Sequence, residues 1–309
     1  MDKNLDYVID SVDRKLLKSE LTAERFIRNT QKGGNEIYFV NAHNAPNTMR
    51  EIGRLREISF ASAGGGTGKE VDIDQYDLCE NCYQQLIVYS PEDEEIIGGY
   101  RFIDCSTLDL SDPNHIAIST AHYFSFSDQF VKDYLPYAIE LGRSWIQPKH
   151  QPNVDPRKGI FALDNLWDGL GAIILSHPNM KYFFGKVTMY PNYNIEARDA
   201  VLYFMERFFP DKDGLVTPKN RLLPATDISK LEELFEGKDF KSGMITLNSY
   251  TKARGERVPP LIKNYMSLSP SMKSFGTAEN PDFGSVEETG ILVTVSDIYG
   301  EKKDRYTTY

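Results

Sequence analysis

The chain has 309 residues, room for one large domain or for a core domain with an elaborated tail. With 40% hydrophobic and 26% charged residues it has an ordinary globular balance, and a net charge of −10 argues against general attraction to a nucleic-acid backbone or an anionic membrane. The charged start MDKNLDYVIDSVDRKLLKSEL has no signal-peptide core and no apolar run nears the ~18 residues of a membrane span, so the expectation is a soluble, cytoplasmic protein without a transmembrane segment and with at most transient membrane contact.

Residues 1–34 read as a polar helical extension anchored by Leu16, Leu17, Leu21, Phe26 and Ile27. A strand over 36–41 precedes a helix over 48–61, where Met49, Ile52, Leu55, Ile58 and Phe60 recur at helical spacing. The next run, SAGGGTGKE at 62–70, looks like a phosphate-binding loop. The pattern G-x-x-x-x-G-K-[ST] fails at both ends: Ala63 replaces its first glycine and Glu70 its magnesium-holding hydroxyl. It also follows a helix rather than a buried strand, so no nucleoside triphosphate is implied. An acidic run over 70–77 leads to a hairpin with strands over 85–89 and 96–103. Residues 104–130 are weakly patterned, with a short strand around 122–126. A strand over 138–146, a polar loop over 147–158, a helix over 159–176, a strand over 182–189 and a helix over 195–209 follow. The apolar face of the helix over 159–176 is Phe161, Leu163, Leu166, Trp167, Leu170, Ile173 and Ile174. Past Pro210, segments over 231–240 and 247–254 read as helical, Pro259-Pro260 opens a new element, and 289–296 is a late strand. The division expected is an N-terminal extension (1–34), a core (35–210) and a C-terminal extension packing on it (211–309).

The cysteines are Cys79, Cys82 and Cys105. The pair at 79 and 82 has the spacing of a redox dithiol or half a zinc site. No second CxxC or HxxxH completes a metal set, and the pair precedes a strand rather than opening a helix, so an incidental pair is the preferred reading and no metal is expected. His43, His115, His150 and His177 show no metal spacing either. The 18 Tyr and 17 Phe suit a large core or an apolar ligand channel equally. Trp145, Trp167 and the Phe183-Phe184 pair are read as core.

This order of elements predicts an α/β (α+β) fold with a mixed, mostly antiparallel central sheet flanked by helices. In outline it matches the N-acyltransferases of the acetyltransferase (GNAT) superfamily. Four segments sharpen the match: Arg56-Glu-Ile-Ser-Phe60, Asp74-Gln-Tyr-Asp77, Gly98-Gly-Tyr-Arg101 and Glu140-Leu-Gly-Arg143. The series resembles the acyl-homoserine-lactone synthases in order and spacing, although that family's Trp between the helix and the acidic pair is missing and the glycine run stands there instead. Residues 36–295 are more similar to the acyl-carrier-protein-dependent amino-acid N-acyltransferases that acylate ornithine or glycine. The landmarks are Glu140-Leu-Gly-Arg143-Ser-Trp-Ile-Gln-Pro148, Leu166-Trp-Asp-Gly-Leu-Gly171, Tyr182-Phe-Phe-Gly185 and Pro259-Pro-Leu-Ile-Lys-Asn-Tyr265. Such sequences often carry a hemolysin label, but nothing here reads as a pore or lytic helix. The glycine-acylating branch is the nearest over the full length.

The resemblance implies an enzyme moving a fatty acyl group from an acyl-carrier-protein thioester to the amine of a small amino acid, with no permanently bound cofactor. In the superfamily two neighbouring strands splay, here 138–147 and 182–189, and an extended pantetheine arm pairs with the exposed backbone. Ser144, Trp145, Ile146, Arg157, Lys158 and Gly159 are then the donor-side residues. The superfamily's pyrophosphate loop reads [RQ]-x-x-G-x-[GA], whereas Arg157-Lys-Gly-Ile-Phe-Ala162 keeps only Gly159. That degradation favours carrier-borne phosphopantetheine over coenzyme A, and Arg157, Lys158 and Lys149 become a docking patch for an acidic carrier. Glu140 is the candidate base, with Arg143 beside it in the catalytic set and His122 as an auxiliary. The bland alternative is a Glu140–Arg143 ion pair, which needs a bulge because residues i and i+3 of a strand face opposite sides. Arg56, Phe60, Asp74, Asp77 and Arg101 fall on the acceptor side, as a paired buried network or as direct ligands. Glu70 and Asp72 read as a solvated acidic loop, and the glycines as a flexible flap over the substrate entrance. Two other readings stay open: a coenzyme-A-dependent amine acetyltransferase, and a non-catalytic acyl- or lipid-binding module of the same fold.

Overall fold

The computed structural model describes residues 5–151, 154 and 156–300, without the side chains of residues 156–158 and 160. Among them the strands are β1 (Phe26–Asn29), β2 (Glu36–Val40), β3 (Gln84–Ser90), β4 (Glu95–Asp104), β5 (Phe124–Phe126), β6 (Ala138–Ile146), β7 (Tyr182–Met189), β8 (Val216–Pro218), β9 (Lys273–Asn280) and β10 (Val286–Thr294). The helices are α1 (Arg14–Glu20), α2 (Pro46–Ala63), α3 (Gln75–Leu78), α4 (Pro156–Ser176), α5 (Ile195–Phe208), α6 (Ile228–Phe235), α7 (Phe240–Lys252) and α8 (Pro260–Met266). The result is the expected mixed α/β fold with largely antiparallel sheet strands.

The chain forms two compact units: the described residues up to Leu108 with Ile139–Met180 and Gly300, and Asp109–Ala138 with Lys181–Tyr299. In the first, antiparallel strands run β1-β2-β3-β4-β6. Strand alternation sorts β4 between two faces. Tyr100 points to α4, where its hydroxyl donates to the Leu166 carbonyl at 3.3 Å. Gly169 lets α4 come this close, since a Cβ there would lie 2.7 Å from Leu86 Cδ2. Arg101, one residue on, points to the opposite face, where α2 and α3 lie.

Helix α2 begins under a cap from a distant segment. Pro46 stands at its start, and the Glu20 carboxylate accepts from Asn47 N at 3.0 Å and Thr48 N at 2.7 Å. A carboxylate on exposed N–H groups is what the positive end of a helix favours. The helix ends at Gly64, whose φ of +106° is easy for glycine alone.

The second unit holds the antiparallel order β7-β10-β9 and a β5–β8 ribbon. Its interior is aromatic. Phe126, Phe130, Phe184 and Phe275 meet with ring centroids 5.0–6.2 Å apart. Phe204 is the hub of another nest with Phe208, Phe235 and Phe240 at 4.5–5.7 Å.

Two stretches differ from expectation. The N-terminal extension is helical only over α1; Phe26 and Ile27 lie on β1, which pairs with β2 through Phe26↔Tyr38. The turn between them uses Gly33 and Gly34 at φ of +85° and +65°, so the apparent helical spacing of 16–27 spans a helix and a strand. Strand β9 is too polar to stand out; pairing with β10 creates it.

Candidate active site

The central feature is a bulge in β6. Gly99 of β4 faces Trp145, but Arg101, two residues on, faces Gly142, three residues back on β6. The extra residue is absorbed at Arg143, whose φ is +50°. A non-glycine residue there is uncommon and costs of order 1 kcal/mol, and bulges re-aim side chains beside active sites. The bulge undoes the strict alternation that would put Arg143 opposite Glu140. It delivers the Arg143 guanidinium to the face on which Arg101 stands, with Asp72 Oδ2 2.9 Å from its Nε. Glu140 is fully buried and accepts a hydrogen bond from the Tyr83 hydroxyl. The Arg101 guanidinium lies over the Tyr83 ring at 4.7 Å, so Tyr83 touches both the Glu140 carboxylate and this cation.

Around them lies a charge cluster in the first unit. Arg56 Nε is 3.1 Å from Asp72 and its Nη1 3.3 Å from Asp77. Arg101 Nη1 reaches Asp74 at 2.8 Å and Asp77 at 3.1 Å. Gln85 donates to Asp77 at 3.0 Å. Asp74 and Asp77 also build the start of α3, each side chain bonding the other's end of a reciprocal capping box. Burial would raise the Asp77 and Asp72 pKa values, but the guanidinium groups outweigh it and hold both carboxyls below the usual range. Burial likewise opposes the Arg101 charge, and Asp77 and Asp74 overcome it, raising its pKa.

The structure thus gathers Arg56, Asp74, Asp77, Arg101 and Arg143, with Phe60 buried one turn after Arg56 on α2. It also corrects the reading of Asp72 as solvated: Asp72 is fully buried and joins Arg56 to Arg143. Its N–H donates to the Gly53 carbonyl of α2 at 3.0 Å, a fixed place that an acidic run in the sequence does not announce. The alternation of Asp72 and Asp74 about the apolar Ile73 was the available signal, since Ile73 packs on Gly53.

The glycine run is not a loose flap. Its amides grip an anion, but the anion is internal. The buried Glu57 carboxylate accepts from Thr67 N at 2.8 Å, the Thr67 hydroxyl at 2.7 Å and Gly68 N at 2.9 Å. Tyr7 adds a fourth donor at 2.8 Å, and burial with this bond pushes its pKa up to about 12. Gly66, at φ of +92°, lies so close that a Cβ would sit 2.9 Å from Glu57 Oε1. A glycine-rich nest suits any anion, which is why the run imitates a phosphate loop.

On the donor side, Ser144 and Ile146 are half-buried and Trp145 buried on β6, and residues 141–144 form a half-exposed run between buried Glu140 and Trp145. Gly159 is buried within α4, while the side chains of Arg157 and Lys158 lie outside the described residues. Lys149 is ion-paired with Glu95, which also binds Arg14. They line a cavity of about 280 Å³ in which Arg54 pairs with Glu51. His122 belongs to the second unit; its side chain is 60% exposed and 3.7 Å from Asp282. Cys79 ends α3 at the surface and Cys82 is buried, both as free thiols. No helix among the described residues is long and apolar enough to cross a membrane.

Comparison with known proteins adds three kinds of likeness. A family model described as an acetyltransferase (GNAT) domain matches residues 55–155. A glycine N(alpha)-acyltransferase of Phocaeicola vulgatus is 49% identical over 302 residues, 98% of this chain and 93% of that protein. A protein of the same name from Bacteroides thetaiotaomicron is 50% identical over 302 residues, 98% of this chain and 90% of that one. Among solved structures, the coenzyme-A-dependent acyl-homoserine lactone synthase BjaI is similar over 88% of this chain and 87% of its own, at 11% identity and a TM-score of 0.41. The synthase LasI follows over 51% and 74%, at 11% identity and a TM-score of 0.32.

Proposed function

The chain belongs to the glycine N(alpha)-acyltransferase family and is an N-acyltransferase, and from that membership we propose that it transfers a fatty acyl group from acyl carrier protein to the amine of glycine in amino-acid lipid synthesis. The observation carrying this reading is the bulge at Arg143, which sets a partly exposed cation on the same strand as a sealed carboxylate and ties it to a buried charge cluster. N-acylation needs such parts: a base for the ammonium, a charged seat for the amino acid, and a strand along which a pantetheine tether can lie.

The half-exposed run 141–144 of β6 is that strand, with Ser144, Trp145 and Ile146 toward the donor, Gly159 at the following helix, and Arg157 and Lys158 meeting the acidic carrier. The glycine ammonium loses its proton to Glu140 through the Tyr83 hydroxyl that bonds it. The amine attacks the thioester carbonyl, the C–N bond forms and the C–S bond breaks; the leaving thiolate takes the first proton back from Glu140, and Glu140 then accepts the second proton from nitrogen as the neutral amide forms and releases it to solvent. Arg56, Phe60, Asp77 and Arg101 hold the acceptor side in shape.

The test is thiol release from long-chain acyl carrier protein on adding glycine, with acyl coenzyme A and ornithine as parallel arms. Glycine-dependent release from the carrier is the expected result. Release from coenzyme A alone would reassign the donor, ornithine alone would reassign the acceptor, and no amine-dependent release at all would leave only a binding module.

A further inference from the structure

The ion pairs of the cluster divide by their access to water. Arg56, Asp72 and Asp77 are sealed and Arg101 is all but sealed, and the pairs among these four close at 3.1–3.3 Å. Arg143 keeps 17% of its side chain exposed and Asp74 30%, and these two approach only to 3.9 Å, Nη2 to Oδ2. Each is pinned from behind. Asp72 holds Arg143 at Nε, and Arg101 holds Asp74 at Oδ1, the oxygen that also accepts from Tyr76 N at 2.9 Å. The loosest pair in the network is therefore its solvent-reached rim, and both members are fixed at their inner edges.

We infer that Arg143 and Asp74 read the two charged ends of an α-amino acid: Arg143 takes the carboxylate, Asp74 the ammonium, and Arg56, Asp77 and Arg101 position them without touching substrate. This rests on the amino-acid acylation proposed above and names how that site recognises its acceptor. Three arginines face three aspartates, so these six charges balance, with the buried Glu140 carboxylate beyond them as the proton acceptor. A zwitterion matches both members of the rim, whereas an amine lacking the carboxylate offers Arg143 no anion. The carboxylate and ammonium of an α-amino acid hang from one carbon, close enough to span an arginine and an aspartate that stop short of hydrogen-bonding each other. A guanidinium suits the carboxylate end because it offers parallel donors.

The experiment compares glycine with glycinamide, whose carboxylate is a neutral amide, using the full-length enzyme and acyl carrier protein as donor. Wild type is expected to prefer glycine in kcat/KM by about ten- to hundredfold, the scale of a charge-assisted contact. Arg143→Gln is expected to abolish that preference by raising the KM for glycine, with the KM for the acyl carrier unchanged. Arg143→Lys keeps the charge that Asp72 requires and is the safeguard against misfolding; it should raise the glycine KM several-fold while keeping the sign of the preference. Asp74→Asn should raise the KM for both amines alike. A folded Arg143→Gln that still prefers glycine as wild type does, or an unchanged glycine KM in Asp74→Asn or Arg143→Lys, overturns the assignment. Wild type that acylates no amino acid overturns the parent reading instead, a result separable from the first because it precedes any variant.

Discussion

The interiors of the two units are built on opposite terms. The second is filled with rings, Phe126, Phe130, Phe184 and Phe275 in one nest and Phe204 at the centre of another. It admits some charge, as where Lys186 and Glu288 pair at 3.2 Å. The first seals two arginines and two aspartates with Glu140 on one side of its sheet. Burying rings gives stability directly, through apolar area and contact. Burying ions does not, because desolvation consumes most of the Coulombic gain and an apolar replacement is often as stable. A cluster kept at that cost leaves Arg143 and Asp74 partly exposed at its rim.

The contrast can be broken most forcibly at Arg56. Arg56→Ala would leave Asp72 and Asp77 buried without their shared cation and should cost about 3–5 kcal/mol, read from a shifted denaturation midpoint. Pairing it with Asp72→Asn should recover part of the loss, since fewer charges are left unmatched; strict additivity of the two would contradict the network. In the ring-filled interior, Phe130→Ala should cost a similar ~3–5 kcal/mol through its cavity. Its cost should not vary with salt or pH in the range where carboxylates titrate, which separates the two kinds of interior.

Glu140→Gln sharpens the comparison differently. An isosteric amide can keep the Tyr83 contact, so the melting temperature should hold while kcat falls by about 10²–10⁴-fold, the usual worth of a general base. Full activity in this variant would make Glu140 structural. The smallest effect is in acid. Asp72 and Asp77 titrate below the ordinary carboxylate range in the folded protein, so the unfolded chain binds more protons. Their contribution is complete above the ordinary carboxylate pKa and is lost as pH falls through it toward the folded values. Asp72→Asn should flatten the slope of stability against pH in that window and nowhere above it.

Strands with strong local patterns were legible at once. The spans 138–146 and 182–189 read from the sequence coincide with β6 and β7, and the helix over 48–61 lies inside α2. The partners Arg56, Asp74, Asp77 and Arg101 were legible as a set through the resemblance of their ordered motifs to the acyl-homoserine-lactone synthases. What escaped were features whose cause lies elsewhere in the chain. Asp72 looks like any solvated acid until α2 holds its backbone, and Glu57 like any surface helix residue until the glycine run folds back on it. Arg143 belongs, by the two-residue period of a strand, on the face away from Glu140.

The amino-acid sequence by itself determined the strongly patterned strands and helices, since periodicity acts over a few neighbours, while the partnered charges and the reaction class were legible through the resemblance of its ordered motifs to known acyltransferases. Tertiary structure alone decided which carboxylates are sealed, that the phosphate-like loop grips its own glutamate, and that the left-handed backbone at Arg143 turns its guanidinium into the charge cluster. Burial and strand register arise from contacts between distant segments, and no local pattern encodes them.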